Sequence, residues 1–174
     1  MQLRLAPCTV RDWTADDLPS LVRHANNRAI WMNLRDRFPH PYLEEHGRGF
    51  LEHLSRQPPT TIWAIEVDGE AAGGIGIEMQ HDVERVSAEI GYWLGEAYWR
   101  RGIMTAALSA VTAEVFRQFD LTRIFALPFA DNVGSVRVLE KAGYVLEGRL
   151  RDSAIKDGQL RDQLLYAAYR ASRT

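Results

Sequence analysis

The sequence predicts a mixed α/β fold of the α+β type: a central, mostly antiparallel sheet of about seven strands with helices on both faces. Three observations point there. Apolar residues recur at helical spacing early in the chain, the period shifts to that of strands from Thr61 to Leu94, and strand and helix patterns then alternate. Leu3 to Val10 is apolar enough for a first strand. Thr14-Ala15-Asp16-Asp17 follows as a helix start, a hydroxyl cap with a carboxylate three residues later. Leu18, Leu21, Val22 and Ala25 continue it as a helix over roughly Ala15 to Ala25. Further helical pieces are expected at Asn27 to Leu34 and at Leu43 to Ser55, the latter with Phe50, Leu51 and Leu54 turned inward. Thr61 to Val67 is β-branched and aromatic and ends at Asp68-Gly69, a turn that returns the chain as Ala71 to Met79. Gly73, Gly74 and Gly76 in that strand suggest close backbone approach or a bulge, or equally the tight packing of a neighbouring element. Val86 to Leu94 reads as a strand, and Ile103 to Phe119 as a long helix with Ile103, Ala107, Val111 and Val115 on one stripe. A strand at Thr122 to Leu127 and a helix near Val133 to Ala142 come next. The strands Tyr144 to Leu150 and Leu160 to Tyr169 flank a turn at Asp157-Gly158.

A length of 174 residues suits one domain with a proper core, and no repeat or linker-like stretch interrupts it. Hydrophobic residues make up 46% and charged residues 25%, values of ordinary globular proteins that exclude disordered and collagen-like classes. The 21 basic and 23 acidic side chains leave a formal charge of −2, without the basic excess expected of a nucleic-acid binder. Cys8 is the lone cysteine, and no Cys/His group has metal-ligand spacing, so no metal is expected. Cys8 lacks an activating neighbour and reads as a small buried hydrophobe. No apolar run is long enough to span a membrane and the N-terminal residues lack a leader pattern, so the expectation is a cytoplasmic protein that engages no membrane.

The chemistry concentrates where the strand ending near Leu94 meets the helix beginning near Ile103. There the chain reads Gly95-Glu96-Ala97-Tyr98-Trp99-Arg100-Arg101-Gly102-Ile103-Met104-Thr105. Unpartnered N–H groups, the positive helix end and two arginines converge at this point, and Gly102 lets an anion approach the main chain. A solvated helix cap would leave the same signature. Neither the three-glycine dinucleotide loop nor a Gly-Lys-Ser/Thr loop is present. A second run follows the strand Arg123 to Leu127: Asp131-Asn132-Val133-Gly134-Ser135-Val136-Arg137-Val138-Leu139-Glu140-Lys141-Ala142-Gly143-Tyr144.

Together the Trp-Arg-Arg-Gly-Ile-Met junction and the Asn-x-x-Ser-x-x-x-Leu-Glu-Lys-x-Gly-Tyr run resemble the GNAT superfamily of acyl-CoA-dependent N-acetyltransferases. The likeness is greatest to its Rim-type branch, which acetylates ribosomal-protein N-termini and, in many paralogues, other amines. It covers nearly the whole chain, to Leu164-Leu165-Tyr166. The resemblance implies a sheet that splays between the strand of Ile90 to Leu94 and that of Ile124 to Leu127, with acetyl-CoA as co-substrate. Its pantetheine arm would pair with the main chain near Tyr92, Trp93 and Leu94, and its pyrophosphate would rest on Arg100, Arg101, Gly102, Ile103, Met104 and Thr105. Strand edges seek hydrogen bonds that an amide-bearing arm can supply. Two positions depart from the common loop pattern, Trp99 at its start and the bulky Met104 at its end. Phosphate binding through main-chain N–H groups is expected to survive both.

Acetyl transfer needs a neutral amine and a protonated or stabilised thiolate, while an alkyl amine has a pKa near ~10. The resemblance implies Glu89 as general base, against a plain reading as an exposed strand glutamate between Ala88 and Ile90. It implies Ser135 as the acid toward the thiolate, because the tyrosine that many superfamily members use is Leu139 here; a serine in the first turn can also simply satisfy N–H groups. Asn132 would bond the pantetheine or cap its helix. The glutamate proposed as base in the ribosomal-protein enzymes aligns with Ala154. Asn33, Asp36, His40 and Tyr42 are the acceptor-side candidates in a proline-restricted stretch, which could equally be a rigid loop docked on the core. Trp13, Trp31 and Trp63 read as core. The expected reaction is direct acetyl transfer to a primary amine, a protein or peptide N-terminus. A small-molecule or antibiotic acetyltransferase and a non-catalytic acyl-CoA-binding module are the alternatives. The oligomeric state stays open, a homodimer included.

Overall fold

A computed structural model describes residues 1–56 and 61–171. Among these residues eight strands form a sheet in the order β1-β2-β3-β4-β5-β6-β8-β7, accompanied by five α-helices. The extra strand comes from the N-terminus. The expected strand at Leu3 to Val10 is two short ones, β1 (Gln2–Arg4) and β2 (Thr9–Arg11), because the chain reverses between them through a Leu5 N–H bond to the Cys8 carbonyl, 2.9 Å, at Pro7. The chain divides into two compact units, Met1–Gly76 with Tyr92–Ala107, and Ile77–Gly91 with Leu108 onward; β4, β5 and α4 each contribute residues to both.

In the first unit, β1, β2, β3 (Ile62–Val67) and the start of β4 (Glu70–Met79) pair antiparallel. Asp68, with φ 52°, and Gly69, with φ 85°, form the β3–β4 turn. Thr14 caps a single 3₁₀ turn, Ala15–Asp17, that runs into α1 (Leu18–Ala25), with Pro19 in the first turn where no N–H is needed. Asp17 accepts from the Thr14 N–H, 2.8 Å, the reciprocal half of a capping box. Asn27 caps α2 (Arg28–Trp31), accepting from the N–H groups of Ala29 and Ile30. Leu21, Ala25 and Tyr42 form a buried cluster, against which Trp13, Val22, Phe38, Trp93 and the Phe50 and Leu51 face of α3 (Glu44–Arg56) pack. Gly73 is a close approach of two backbones: a Cβ there would lie 2.4 Å from the Trp93 carbonyl oxygen of β5 (Ser87–Leu94).

In the second unit, β5 and β6 (Arg123–Ala126) run parallel, with Ser87, Ala88 and Glu89 in register with Arg123, Ile124 and Phe125. Ile90 and Gly91, the next β5 residues of this unit, lie beyond that register. β8 (Gln159–Tyr169) pairs antiparallel with β6 and with β7 (Val145–Lys156), across the Asp157-Gly158 turn. All four stripe residues of α4 (Ile103–Gln118), Ile103, Ala107, Val111 and Val115, are buried. Arg170 holds the carbonyls of Phe116 and Phe119 where α4 ends, a cation at a helix C-terminus. α5 (Val133–Lys141) ends at Gly143, φ 85°.

Candidate active site

The loop before α4 has the shape of an anion cradle. A 3₁₀ turn, Glu96–Tyr98, leads into it, and the Trp99 indole N–H donates to the Leu94 carbonyl at 2.7 Å, closing its mouth onto the end of β5. Arg100, with φ 62°, and Gly102, with φ 75°, adopt left-handed backbone on either side of Arg101, an alternation that turns successive N–H groups toward one concavity. A Cβ at Gly102 would meet nothing within 4 Å, so the glycine serves the backbone angle and leaves the space over the loop open. The first closed turn of α4 is the Ala106 N–H bond to the Gly102 carbonyl, 3.1 Å, so Ile103, Met104 and Thr105 carry the N–H groups that precede it. Arg100 and Arg101 are exposed. The bulk of Met104 is turned inward, 8% exposed, and stays out of the cradle. These residues fit a pyrophosphate.

The β5 segment beside the loop is polarised by strand alternation. The Gly95 N–H donates to Ala72 of β4, 2.7 Å, and the Trp93 carbonyl lies against Gly73, so both point their main chain toward β4. The main-chain groups of Tyr92 and Leu94 therefore point the other way; there the Leu94 carbonyl is taken by the Trp99 indole, and the Leu94 N–H is directed to where an extended amide arm could pair. The Trp93 side chain packs into the core against Phe38, 5.7 Å between rings.

The second unit carries Glu89, Asn132 and Ser135. Glu89 is half-buried between the buried Ala88 and Ile90. Asn132 is the N-cap of α5: its Oδ1 accepts from the Ser135 N–H at 3.1 Å. Capping is thus performed by Asn132, and the half-buried Ser135 is not needed for it. Leu139, where other superfamily members have a tyrosine, is wholly buried.

The proline-restricted stretch divides by role. The Asn33 amide donates to the Ala29 carbonyl, 3.0 Å. Asp36 and His40 are exposed, and the His40 ring stacks on Trp31 at 5.6 Å. Tyr42 is a core residue: its N–H is held by Asn26 at 3.0 Å, its ring packs on Phe38, and burial pushes its phenol up to about 12. For Tyr42 and Phe38 the docked-loop reading is the one the packing matches. Cys8 is buried, which raises its thiol pKa and keeps it inert, and Trp63 is core.

Sequence reasoning missed a cluster beneath the loop, in which the Glu70 carboxylate bonds Tyr98, His24 and Arg23. Hydrogen bonds from His24 and Tyr98 hold the Glu70 carboxyl below its usual range, and Glu70 in turn raises the Tyr98 phenol. Residues 24, 70 and 98 share no local pattern. The one available signal was Tyr98 itself, an aromatic directly before the Trp-Arg-Arg-Gly run.

Residues 8–145 match the family described as "Acetyltransferase (GNAT) domain". The chain belongs to the GNAT acetyltransferase family. It is 35% identical over 81 residues to the ribosomal-protein-serine acetyltransferase of Escherichia coli, covering 47% of this chain and 45% of that protein. It is 36% identical over 107 residues to YoaA, an uncharacterized N-acetyltransferase of Bacillus subtilis, covering 60% of each. The chain thus spans about half the length of the curated relatives it matches. Among solved structures, RimL, a ribosomal alpha-N-protein acetyltransferase in complex with coenzyme A, superposes with a TM-score of 0.85 at 23% identity, over 97% of this chain and 98% of that one. The GNAT fold is therefore shown, and relatives named for ribosomal proteins bear out the Rim-type resemblance. Among the described residues no cluster of metal-ligating side chains is present, and no helix is long and apolar enough to cross a membrane.

Proposed function

We propose that this chain is an acetyl-CoA-dependent N-acetyltransferase that acetylates a primary amine directly in a ternary complex, with a protein or peptide N-terminus as acceptor. The observation that carries the reading is the cradle at Arg100 to Thr105: left-handed backbone at Arg100 and Gly102, two exposed arginines and the start of a long helix, in a member of the GNAT family. Acetyl-CoA supplies an activated acetyl thioester; the chain's part is to hold, orient and move protons. The N–H groups of Gly102 to Thr105 and the guanidinium groups of Arg100 and Arg101 hold the pyrophosphate, and the main chain of Tyr92 with the Leu94 N–H pairs with the pantetheine arm. Trp93 supports that strand from the core side.

Glu89 takes the proton from the acceptor ammonium, directly or through a water, so that the nitrogen lone pair can attack the thioester carbon. As the C–N bond forms and the C–S bond breaks, Ser135 delivers its proton to the departing sulfur and is reprotonated through solvent by the second proton that the nitrogen sheds on becoming an amide. Asn132 keeps Ser135 in place by capping its helix. An α-amine, with a pKa of about 8, offers far more neutral form at pH 7 than a lysine at about 10.4, so a carboxylate base suits an N-terminus better than a side-chain amine. Asn33, Asp36 and His40 face the acceptor, with Tyr42 anchoring their loop. The ribosomal-protein names among the relatives support this acceptor class.

The test is kinetic. Glu89→Gln and Ser135→Ala should each lower kcat by roughly 10²-fold, with the affinity for acetyl-CoA unchanged within a factor of about two. Unchanged turnover in both would remove them from the mechanism.

A further inference from the structure

The cradle is a costly shape for a loop to hold. A non-glycine residue at positive φ is strained by its Cβ, and Arg100 nevertheless keeps φ 62°. Such backbone persists only where its surroundings fix it. The surroundings are visible at the foot of the loop, all within the first compact unit. The buried Tyr98, the last residue before Trp99, donates its hydroxyl to Glu70 Oε1 at 2.8 Å, while His24 Nε2 meets the same oxygen at 2.9 Å and Arg23 takes the other. The Tyr98 ring in turn carries the Arg101 guanidinium, 5.2 Å from its centroid, and Arg101 also lies 3.9 Å from Asp68 in the β3–β4 turn. A second strut is the Asn27 amide, which donates to Glu96 Oε2 at 2.6 Å. Beside it the His24 ring fills the space over Gly95, where a Cβ would lie 2.8 Å from Nδ1.

We infer that Glu70 and Tyr98 are positioning residues for the phosphate cradle: they fix Arg101 and the left-handed backbone of the loop in advance, so that CoA's pyrophosphate meets donors already aimed at it. A loop ordered beforehand spares the entropy of ordering it on binding, and this benefit falls on the phosphate end of the cofactor alone. Neither residue acts on the reacting atoms. The inference rests on the proposed acetyl-CoA reading and adds to it what holds the cradle open.

Tyr98→Phe removes only the hydroxyl and keeps the ring under Arg101. Titration calorimetry with CoA, alongside steady-state kinetics with acetyl-CoA and with S-acetylpantetheine, which lacks the pyrophosphate, separates positioning from general damage. The expected result is an increase of about tenfold in the CoA Kd and in the acetyl-CoA KM, the loss of one hydrogen bond to a charged group. The kcat at saturating acetyl-CoA and the kcat/KM for S-acetylpantetheine should stay at wild-type values. Glu70→Gln, which keeps an oxygen for Tyr98 but loses the charge that pairs with Arg23, should shift the same parameters in the same direction and serves if Tyr98→Phe does not fold. Equal losses with both acyl donors, a fall in kcat without a rise in KM, or no change would overturn the inference. A wild-type chain that binds CoA beside variants that bind it equally well defeats this inference alone. A wild-type chain that binds no CoA defeats the cofactor reading and this inference with it.

Discussion

Asp17 shows how one side chain can serve several ends. It lies 6% exposed, accepts from the Thr14 N–H, and takes a two-pronged bond from Arg11 at 2.7 and 2.8 Å, while Arg11 also reaches Glu66 on β3 at 2.5 Å. Burial alone would raise its carboxyl, but Arg11 and Thr14 outweigh it and hold the pKa below the usual range. A carboxyl depressed in the folded state stabilises it above the unfolded pKa of about 3.9, and that stability is lost as pH falls through the depressed value. Asp17→Asn should therefore cost about 1.5–3 kcal/mol at pH 7, measured by urea unfolding, with a gap from wild type that narrows below about pH 4. A gap that does not change with pH would assign the loss to packing and not to the ion pair. Ser135 raises the opposite question, since Asn132 already caps its helix. Ser135→Ala should leave the melting temperature close to that of wild type while lowering kcat, whereas a capping serine would lose stability first.

At the scale of elements, β4 and β5 approach at Gly73 too closely to admit a side chain. With the Trp93 carbonyl 2.4 Å from the position of a Gly73 Cβ and the Leu94 Cα 3.0 Å from it, Gly73→Ala must push two backbones apart. The expected cost is about 1–3 kcal/mol by thermal or urea unfolding. A neutral effect would mean that the strands can separate without penalty. Elements with a strong local period were legible: the stripe of α4 and the strands from Ile62 to Leu94 lie where spacing placed them, and Asn27 and Thr14 start helices as capping residues do. The N-terminal strand was read as one piece because its apolar residues continue across Pro7, whose turn shows only in the Leu5 to Cys8 bond. The phosphate loop was legible because its chemistry is contiguous in sequence. The Glu70 cluster and the core position of Tyr42 were not, because each depends on partners from distant segments that no spacing rule connects.

For the whole molecule, a net charge of −2 coexists with a local cationic helix start, so a small polyanion can be held without a basic surface. Between Ala97 and Ala113 the only charged side chains are Arg100 and Arg101. In the first unit the start of α4 carries a cradle whose backbone and two arginines suit a pyrophosphate. The most direct measurement is thiol release from acetyl-CoA across a panel of N-terminal peptides, free amino acids and small amines, with the acetylated product identified by mass. One thiol should be released per acetyl group added, at the α-amine of peptides, with little turnover of small amines. Thiol release confined to a small amine would contradict the acceptor, and none with any amine by a protein that binds CoA would contradict the enzyme.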